Sequence, residues 1–226
     1  MPTTTIETPL GPGRLHVAAP AAARALLLLG HGAGGGVDSF DLEALARVLP
    51  DRDIAVARFE QPWRVAGRRV AGPPASLDRA WAAALAWAAA THAGLPLIVG
   101  GRSAGARVAC RSAAAPARGV VCLSFPLHPP GKPAASRIGE LAGAGIPALV
   151  IQGERDPFGS PDEVRAALAA AGIPPASAGA APEGVAVLGV PGTHSFTPRT
   201  KAALAAADEL AALIVDPVAA FVAALS

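Results

Sequence analysis

The sequence predicts a doubly wound α/β fold, in which a mostly parallel β-sheet is covered by helices on both faces. Short apolar runs recur along the chain, and each is nearly continuous rather than alternating, which is typical of parallel strands buried on both faces. Helical segments separate these runs about six times, as expected when each parallel strand needs a crossover connection. The 226 residues suffice for a large core, and we expect a single domain over residues 1–226.

Seven segments are predicted to be strands. Six of them are apolar runs bounded by glycine, proline or polar turns, and the first is a weaker edge-strand signal that follows a Gly/Pro turn. In chain order the predicted strands are 14–19, 25–30, 54–59, 96–100, 119–125, 147–153 and 184–190. Two intervening stretches rich in proline, glycine and arginine or alanine, 60–74 and 173–183, are predicted to be loops.

Helices are predicted between the strands from apolar periodicity and from residues that favour helix ends. The clearest start is at Ser160, which suits an N-cap, because Pro161 follows at the first helical position and two acidic residues lie in the first turn. The predicted helices run from 38 to about 49, over 76–93, 104–115 and 135–142, onward from 160, and from near 197 to the C-terminal region.

The stretch from Gly101 to Gly105 places Ser103 at the junction of a predicted strand and a predicted helix. Such a turn strains the backbone of its central residue and brings the strand close to the helix, so the residues two before and two after must be very small. Gly101 and Gly105 meet that demand. The following N–H group, that of Ala104, lies at a helix N-terminus, where negative charge is favoured. These features predict a nucleophile at Ser103.

A serine nucleophile needs a base that takes its proton, and the base needs a carboxylate that orients it. His194 follows the last predicted strand, and Asp156 follows the strand before it. In open α/β sheets the working site lies beyond the carboxyl ends of the strands, so both residues should converge with Ser103. We therefore predict that Ser103 is the nucleophile, His194 the general base and Asp156 the orienting carboxylate.

Other interpretations of the neighbouring polar residues are open at this point. Asp156 could be a turn or capping aspartate, and His194 could be a histidine whose hydrogen bonds are satisfied within its own turn. His128 is a rival base, but it precedes Asp156 in the chain and lies among prolines, so we expect it to shape the pocket wall or to cap a strand. Arg102 is expected to be a surface ion-pair partner rather than a catalytic group.

Five motifs carry a resemblance to a known family, and they span nearly the whole chain: LLGHGAGG around His31, VGGRSAG around Ser103, FPLHPPGKP from Phe125, QGERDPFG around Asp156 and HSF from His194. The chain order of serine, aspartate and histidine is that of α/β-hydrolases. The chain resembles the dienelactone-hydrolase-like branch of that superfamily, and within it a small family of predicted hydrolases whose relatives include a testis-expressed protein and a subunit of a histone acetyltransferase complex. Dienelactone hydrolases themselves use cysteine where this chain has Ser103.

The resemblance also implies an oxyanion loop. The His31–Gly34 stretch fits the family's loop, so the backbone N–H of Ala33 is expected to join that of Ala104 in binding an oxyanion. The alternative interpretation of residues 32–36 is a phosphate-binding loop. That stretch lacks a Gly-Lys-Ser/Thr ending and a complete dinucleotide fingerprint, so the sequence favours the oxyanion loop.

These residues predict a serine hydrolase of the carboxylesterase type, which acts on a small or short-chain acyl substrate through an acyl-enzyme and requires no cofactor. The segment between the strands ending at Phe125 and starting at Pro147 is too short for a large lid, so we expect an open site. A thioesterase or a peptidase would use the same residues. A noncatalytic protein-interaction module that kept the fold is a further alternative, because fold alone does not imply activity.

Composition and charge disfavour several other classes of function. The net charge is only +2 and no basic cluster is present, so nucleic-acid binding is not expected. The N-terminal stretch lacks the pattern of a signal peptide and no apolar run could span a bilayer, which predicts a cytoplasmic protein without membrane association. Cys110 and Cys122 are expected to be buried small hydrophobes, and no metal-ligand spacing is found. The sequence leaves the oligomeric state open.

Overall fold

The computed structural model describes residues 3–173, 176, 184–196 and 204–226. Its centre is an eight-stranded sheet in the order β1-β2-β4-β3-β5-β6-β7-β8. The strands are β1 (Thr3–Thr8), β2 (Gly11–Ala18), β3 (Ala25–Gly30), β4 (Ile54–Glu60), β5 (Leu97–Arg102), β6 (Ala117–Leu123), β7 (Ala148–Gly153) and β8 (Val185–Val190). Strands β3 to β8 are mutually parallel, whereas β1 and β2 form an antiparallel hairpin that pairs with β4 at one edge.

Helices cover both faces of the sheet, which confirms the predicted doubly wound fold. The helices are α1 (Phe40–Val48), followed by a 3₁₀ turn (Leu49–Arg52), α2 (Pro62–Val65), α3 (Pro74–Thr91), α4 (Ala104–Arg111), α5 (Ile138–Ala142), α6 (Pro161–Ala170) and α7 (Ala207–Ala224). The predicted loop 173–183 and the predicted start of the C-terminal helix near residue 197 lie largely outside the described residues.

Two apolar cores form because successive strand residues point to opposite faces of the sheet. On β3, Leu26 and Leu28 belong to the core that also contains residues of α3, α4 and α6, whereas Leu27 and Leu29 belong to the core that contains residues of α1 and α7. All four of these leucines are buried. The central strands are therefore apolar over most of their length, which is the pattern that predicted the parallel sheet.

The N-terminal edge of the sheet differs from the prediction. Strand β1 is not predicted by the sequence, since Thr3, Thr4 and Thr5 are exposed and the strand has no apolar run. It is held by a regular antiparallel register with β2, in which Thr3 lies opposite His16 and Thr8 opposite Gly11. Backbone pairing, with Ile6 as the one apolar side chain of β1 packed against the core, stabilises this strand, so hydrophobic periodicity cannot detect it.

The connections above the sheet are short. Between β6 and β7 the chain forms only loops and the five-residue helix α5, so the part of the chain that the structure describes contains no lid, as predicted. Cys110 and Cys122 are both buried and free, with their Sγ atoms 3.4 Å apart. Their hydrogen bond, together with burial, raises the pKa of the Cys122 thiol well above its usual range. None of the described helices combines the length and the apolar character that a bilayer crossing requires.

Candidate active site

The residues predicted to form the site lie beyond the carboxyl ends of four parallel strands. Ser103 directly follows β5, Asp156 follows β7, and His194 follows β8, while the glycine-rich loop that begins at His31 follows β3. Because these strands run in the same direction, their following loops meet at one edge of the sheet. The cavity at this edge is lined by Ser103, His194 and residues of the glycine-rich loop.

Ser103 lies in a sharp turn between β5 and α4. Its backbone has φ 52° and ψ −110°, outside the regions that non-glycine residues normally occupy. The turn brings α4 against β3, since a Cβ on Gly101 would lie 2.5 Å from the carbonyl oxygen of Gly30, and a Cβ on Gly105 would collide with the same carbonyl group. Only glycine fits both positions. The strained turn and the close approach therefore match those predicted from the spacing of the two glycines around Ser103.

The structure brings Ser103, His194 and Asp156 together in one hydrogen-bonded chain. The Nδ1 atom of His194 lies 2.8 Å from Oδ2 of Asp156, and its Nε2 atom lies 2.9 Å from Oγ of Ser103. A carboxylate only accepts, so Nδ1 carries the proton and donates to Asp156. Nε2 then accepts from the Ser103 hydroxyl. In this tautomer the imidazole is oriented to take the hydroxyl proton.

Asp156 is held by three donors in a buried position. The backbone N–H of Phe158 donates to its Oδ1 atom over 2.8 Å, and the side-chain amide of Gln152 donates to Oδ2 over 3.0 Å. Gln152 is fully buried, and its amide nitrogen also lies within hydrogen-bond distance of the carbonyl oxygens of Phe125 and Gly159, so its two protons are shared among three acceptors. With His194 as the third donor, both oxygens of the carboxylate accept hydrogen bonds, which fix its orientation toward the imidazole.

His194 is fixed from two further directions. Its ring stacks on Phe158, with the ring centroids 4.2 Å apart and an interplanar angle of 29°. Its backbone carbonyl accepts a hydrogen bond from the Arg102 guanidinium. These contacts leave the imidazole partly exposed, with 18% of its side chain accessible to solvent.

Arg102 is an ion-pair partner, as expected, but the expectation that it lies at the surface is wrong. Only 10% of its side chain is exposed, and its Nε atom lies 3.1 Å from Oδ2 of the wholly buried Asp41 in α1. Burial raises the pKa of Asp41, while the Arg102 guanidinium opposes that shift. Arg102 thus connects α1, the turn at Ser103 and the loop that carries His194. Its partner lies far away in the chain, so no local pattern in the sequence reveals the pair.

The glycine-rich loop is anchored by His31. The backbone N–H of Gln61 donates to Nε2 of His31 over 3.1 Å, so Nδ1 carries the proton and donates to the carbonyl of Gly32 over 2.8 Å. The ring packs against Trp63 with a centroid distance of 5.4 Å, and burial lowers the pKa of His31. His31 therefore holds the start of the loop as a neutral side chain, and Ala33 follows at the cavity wall.

The site opens into a cavity of about 770 Å³. Ala33 and Ala104 line it next to Ser103, as do four arginines. His128 is not among the lining residues. It is buried, its backbone N–H donates to the carbonyl of Phe158, and its Nε2 atom lies 3.7 Å from Glu163.

A family model described as an alpha/beta hydrolase domain matches residues 23–223. The chain belongs to the alpha/beta hydrolase family. No curated protein matches the sequence. The assignment to this family therefore depends on the family model.

Several solved structures share this alpha/beta hydrolase fold. An alpha-beta serine hydrolase homologue from Coxiella burnetii has a TM-score of 0.73 at 16% identity, over 95% of this chain and 96% of that one. A serine hydrolase without a lid from Xanthomonas campestris has a TM-score of 0.67 at 21% identity, over 96% and 93%. A cold-adapted esterase from an Arctic intertidal metagenomic library has a TM-score of 0.63 at 18% identity, over 92% of each chain. At these identities the likeness concerns the fold.

The sequence patterns did not identify three residues that support the site of this alpha/beta hydrolase. These residues are His31, as the anchor of the glycine-rich loop, Gln152 and Asp41. Gln152 is the second-to-last residue of β7 and lies four residues before Asp156, so a buried amide at this position is a signal that could have been found. His31 directly follows an apolar strand, which favours burial of its ring. Asp41 offers no such signal, because an aspartate in the first turn of a helix is ordinarily explained by the helix dipole.

Burial of His31 predicts an acid-sensitive fold. The unfolded chain binds a proton at this histidine near its usual pKa of 6.5, and the folded chain binds it only at lower pH. Unfolding then takes up a proton, so the free energy of unfolding falls as the pH falls below 6.5. We expect His31→Gln to lose less stability than the wild type between about pH 7.5 and pH 5.5, measured by urea unfolding. His92, whose pKa burial also lowers, is present in both proteins and cancels. Equal losses would contradict the prediction.

Proposed function

We propose that this alpha/beta hydrolase is a serine hydrolase that cleaves a small or short-chain ester through an acyl-enzyme. The single observation that carries the proposal is the hydrogen-bonded chain from Ser103 through His194 to Asp156 at an open cavity. The resemblance to the dienelactone-hydrolase-like branch and to its testis-expressed and acetyltransferase-complex relatives remains a prediction from the motifs. The esterase among the structural neighbours supports the reaction type as an analogy.

In the proposed mechanism Nε2 of His194 takes the proton of the Ser103 hydroxyl while Oγ attacks the acyl carbonyl carbon. The carbonyl oxygen becomes an oxyanion, which accepts hydrogen bonds from the backbone N–H groups of Ala33 and Ala104. Ala104 is the first residue of α4, where the helix itself supplies no partner for the N–H. Removing one such donor typically lowers transition-state stabilisation by about 2.7–4 kcal/mol, so the loop at Ala33 matters to the chemistry.

The tetrahedral intermediate then collapses, and the alcohol leaves with the proton from His194. Asp156 stabilises the imidazolium that exists between these two transfers and holds its ring in place. A water molecule next gives a proton to His194 and attacks the acyl-enzyme, and collapse of the second intermediate returns the proton to Ser103 and releases the acid. The same steps would cleave a thioester or an amide, so the leaving group is the open part of the proposal.

The proposal is tested with a fluorophosphonate probe, which forms a Ser–O–P bond with loss of fluoride only at an activated serine. We expect one adduct by intact mass, absent in Ser103→Ala and strongly reduced in His194→Ala. Ser112→Ala, at the other end of α4, serves as the control and should label like the wild type. No adduct on a protein shown to be folded by circular dichroism would overturn the proposal and favour a noncatalytic interaction module.

A further inference from the structure

We propose that the substrate carries a carboxylate group, which Arg137 and Arg155 bind in the cavity at Ser103. The inference rests on the proposed serine hydrolase function and names the class of its substrate. Arginines at 102, 107, 137 and 155 line this cavity, and among the lining residues that the structure describes there is no aspartate or glutamate. Asp156 lies behind His194 and is committed to it. The cavity is therefore electropositive, and a low-dielectric wall strengthens that field.

Two of these arginines are committed to carboxylates of the protein. Arg102 pairs with the buried Asp41. Arg107 donates to both carboxylate oxygens of Glu140, over 2.7 Å and 2.6 Å, in the bidentate geometry that an arginine and a carboxylate favour. Neither guanidinium needs a further anion, so neither is the group that would select the substrate.

Arg137 differs because no carboxylate among the described residues pairs with it. Its side chain donates to the carbonyl of Pro126 over 3.1 Å, and its backbone N–H donates to the carbonyl of Leu127, so the residue is held at the cavity wall. Burial lowers the pKa of its guanidinium, and the positive charge of Arg107 lowers it further. A bound anion would relieve both the repulsion and the loss of hydration.

The balance of charge around Arg137 predicts the charge of that anion. Arg107, Arg111 and Arg137 form one cluster, and Arg111 pairs with Asp78 and also reaches Glu140. Three guanidinium groups thus face two carboxylates in the described part of the chain. One positive charge remains, which a singly charged carboxylate would neutralise. Its planar shape also matches the fork of a guanidinium.

Arg155 supplies a second cation on the loop that follows β7. Its backbone N–H donates to the carbonyl of Gly192, which fixes the residue directly before Asp156, and its exposed side chain lines the same cavity as Ser103. No acidic side chain among the described residues forms an ion pair with it. Arg137 and Arg155 follow neighbouring strands, β6 and β7, and both line the cavity at Ser103, which is where the substrate carboxylate would bind between them.

The test compares two esters that differ in charge and share a six-carbon acyl chain: the mono-4-nitrophenyl ester of adipate and 4-nitrophenyl hexanoate. We expect the wild type to prefer the adipate ester in kcat/KM, and Arg137→Gln and Arg155→Gln each to lower this preference about tenfold, as for a lost charge-assisted contact. Arg137→Lys should retain part of it. Added salt should weaken the preference, since both partners are charged.

Arg165→Gln is the matched control, because Arg165 lies on α6, pairs with the exposed Asp162, and does not line the cavity. This variant should keep the wild-type preference. A readout without turnover is protection of Ser103 from the fluorophosphonate, which adipate should give more strongly than uncharged adipamide and which Arg137→Gln should abolish. Labelling at Ser103 with no preference for the charged ester would overturn this inference alone. Absence of fluorophosphonate labelling at Ser103 would overturn the proposed serine hydrolase function, on which this inference rests.

Discussion

Replacing Asp156 with asparagine is expected to lower kcat/KM for 4-nitrophenyl acetate by about 10⁴-fold. The carboxylate accepts from Phe158, Gln152 and His194 at once, and all three of these groups are donors. An asparagine has one oxygen and one NH₂ group, so either orientation places donor against donor. Where the NH₂ group faces His194, the imidazole is driven to the tautomer with a proton on Nε2, which cannot accept the proton of Ser103.

Asp162→Asn is the control for the loss of one negative charge. Asp162 carries the same charge, but its side chain is 92% exposed and lies on α6. This variant should keep wild-type kcat/KM, and urea unfolding should show that both variants are folded. If Asp156→Asn retained more than about one tenth of wild-type kcat/KM while His194→Ala lost activity, Asp156 would not be the orienting group.

The turn at Ser103 could be predicted because its signals are local. A buried strand, two glycines at fixed spacing and an alanine-rich helix all lie within a few residues of Ser103, and each imposes its own steric demand. The strained φ of 52° follows from these demands. The placement of Asp156 and His194 beside Ser103 could be predicted for a related reason, since parallel strands bring their carboxyl ends to one edge whatever the loops contain.

The residues that hold the site in place could not be predicted in the same way, because their roles depend on contacts between residues far apart in the chain. Arg102 pairs with Asp41, whose place beside it is set by the packing of α1 against the sheet. The role of His31 depends on a backbone donor at Gln61, at the end of the neighbouring strand β4. Such pairs have no periodicity, so the sequence offered only the general expectation that a charged residue lies at the surface.

Removal of the Arg102 charge is expected to destabilise the fold strongly. In Arg102→Met, Asp41 would remain wholly buried without its counter-charge, and the carbonyl of His194 would lose its guanidinium donor. Breaking a buried pair in this way lowers the free energy of unfolding by about 3–5 kcal/mol. Urea unfolding of the purified variant measures the change. Activity should fall as well, since the loop that carries His194 loses a fixed contact.

The double variant Asp41→Asn/Arg102→Met separates the charge from the packing. It removes the stranded carboxylate and keeps an acceptor for the backbone N–H of Leu42, so it should recover most of the lost stability. The pair of Arg52 and Asp216 is the control. It is shorter, at 2.6 Å, but its side chains are 42% and 58% exposed, so Arg52→Met should change stability by less than about 1 kcal/mol. Equal losses of stability in Arg102→Met and Arg52→Met would show that burial of Asp41 does not govern the strength of its pair with Arg102. If distance alone set the strength of an ion pair, the exposed pair of Arg52 and Asp216 would be the stronger one.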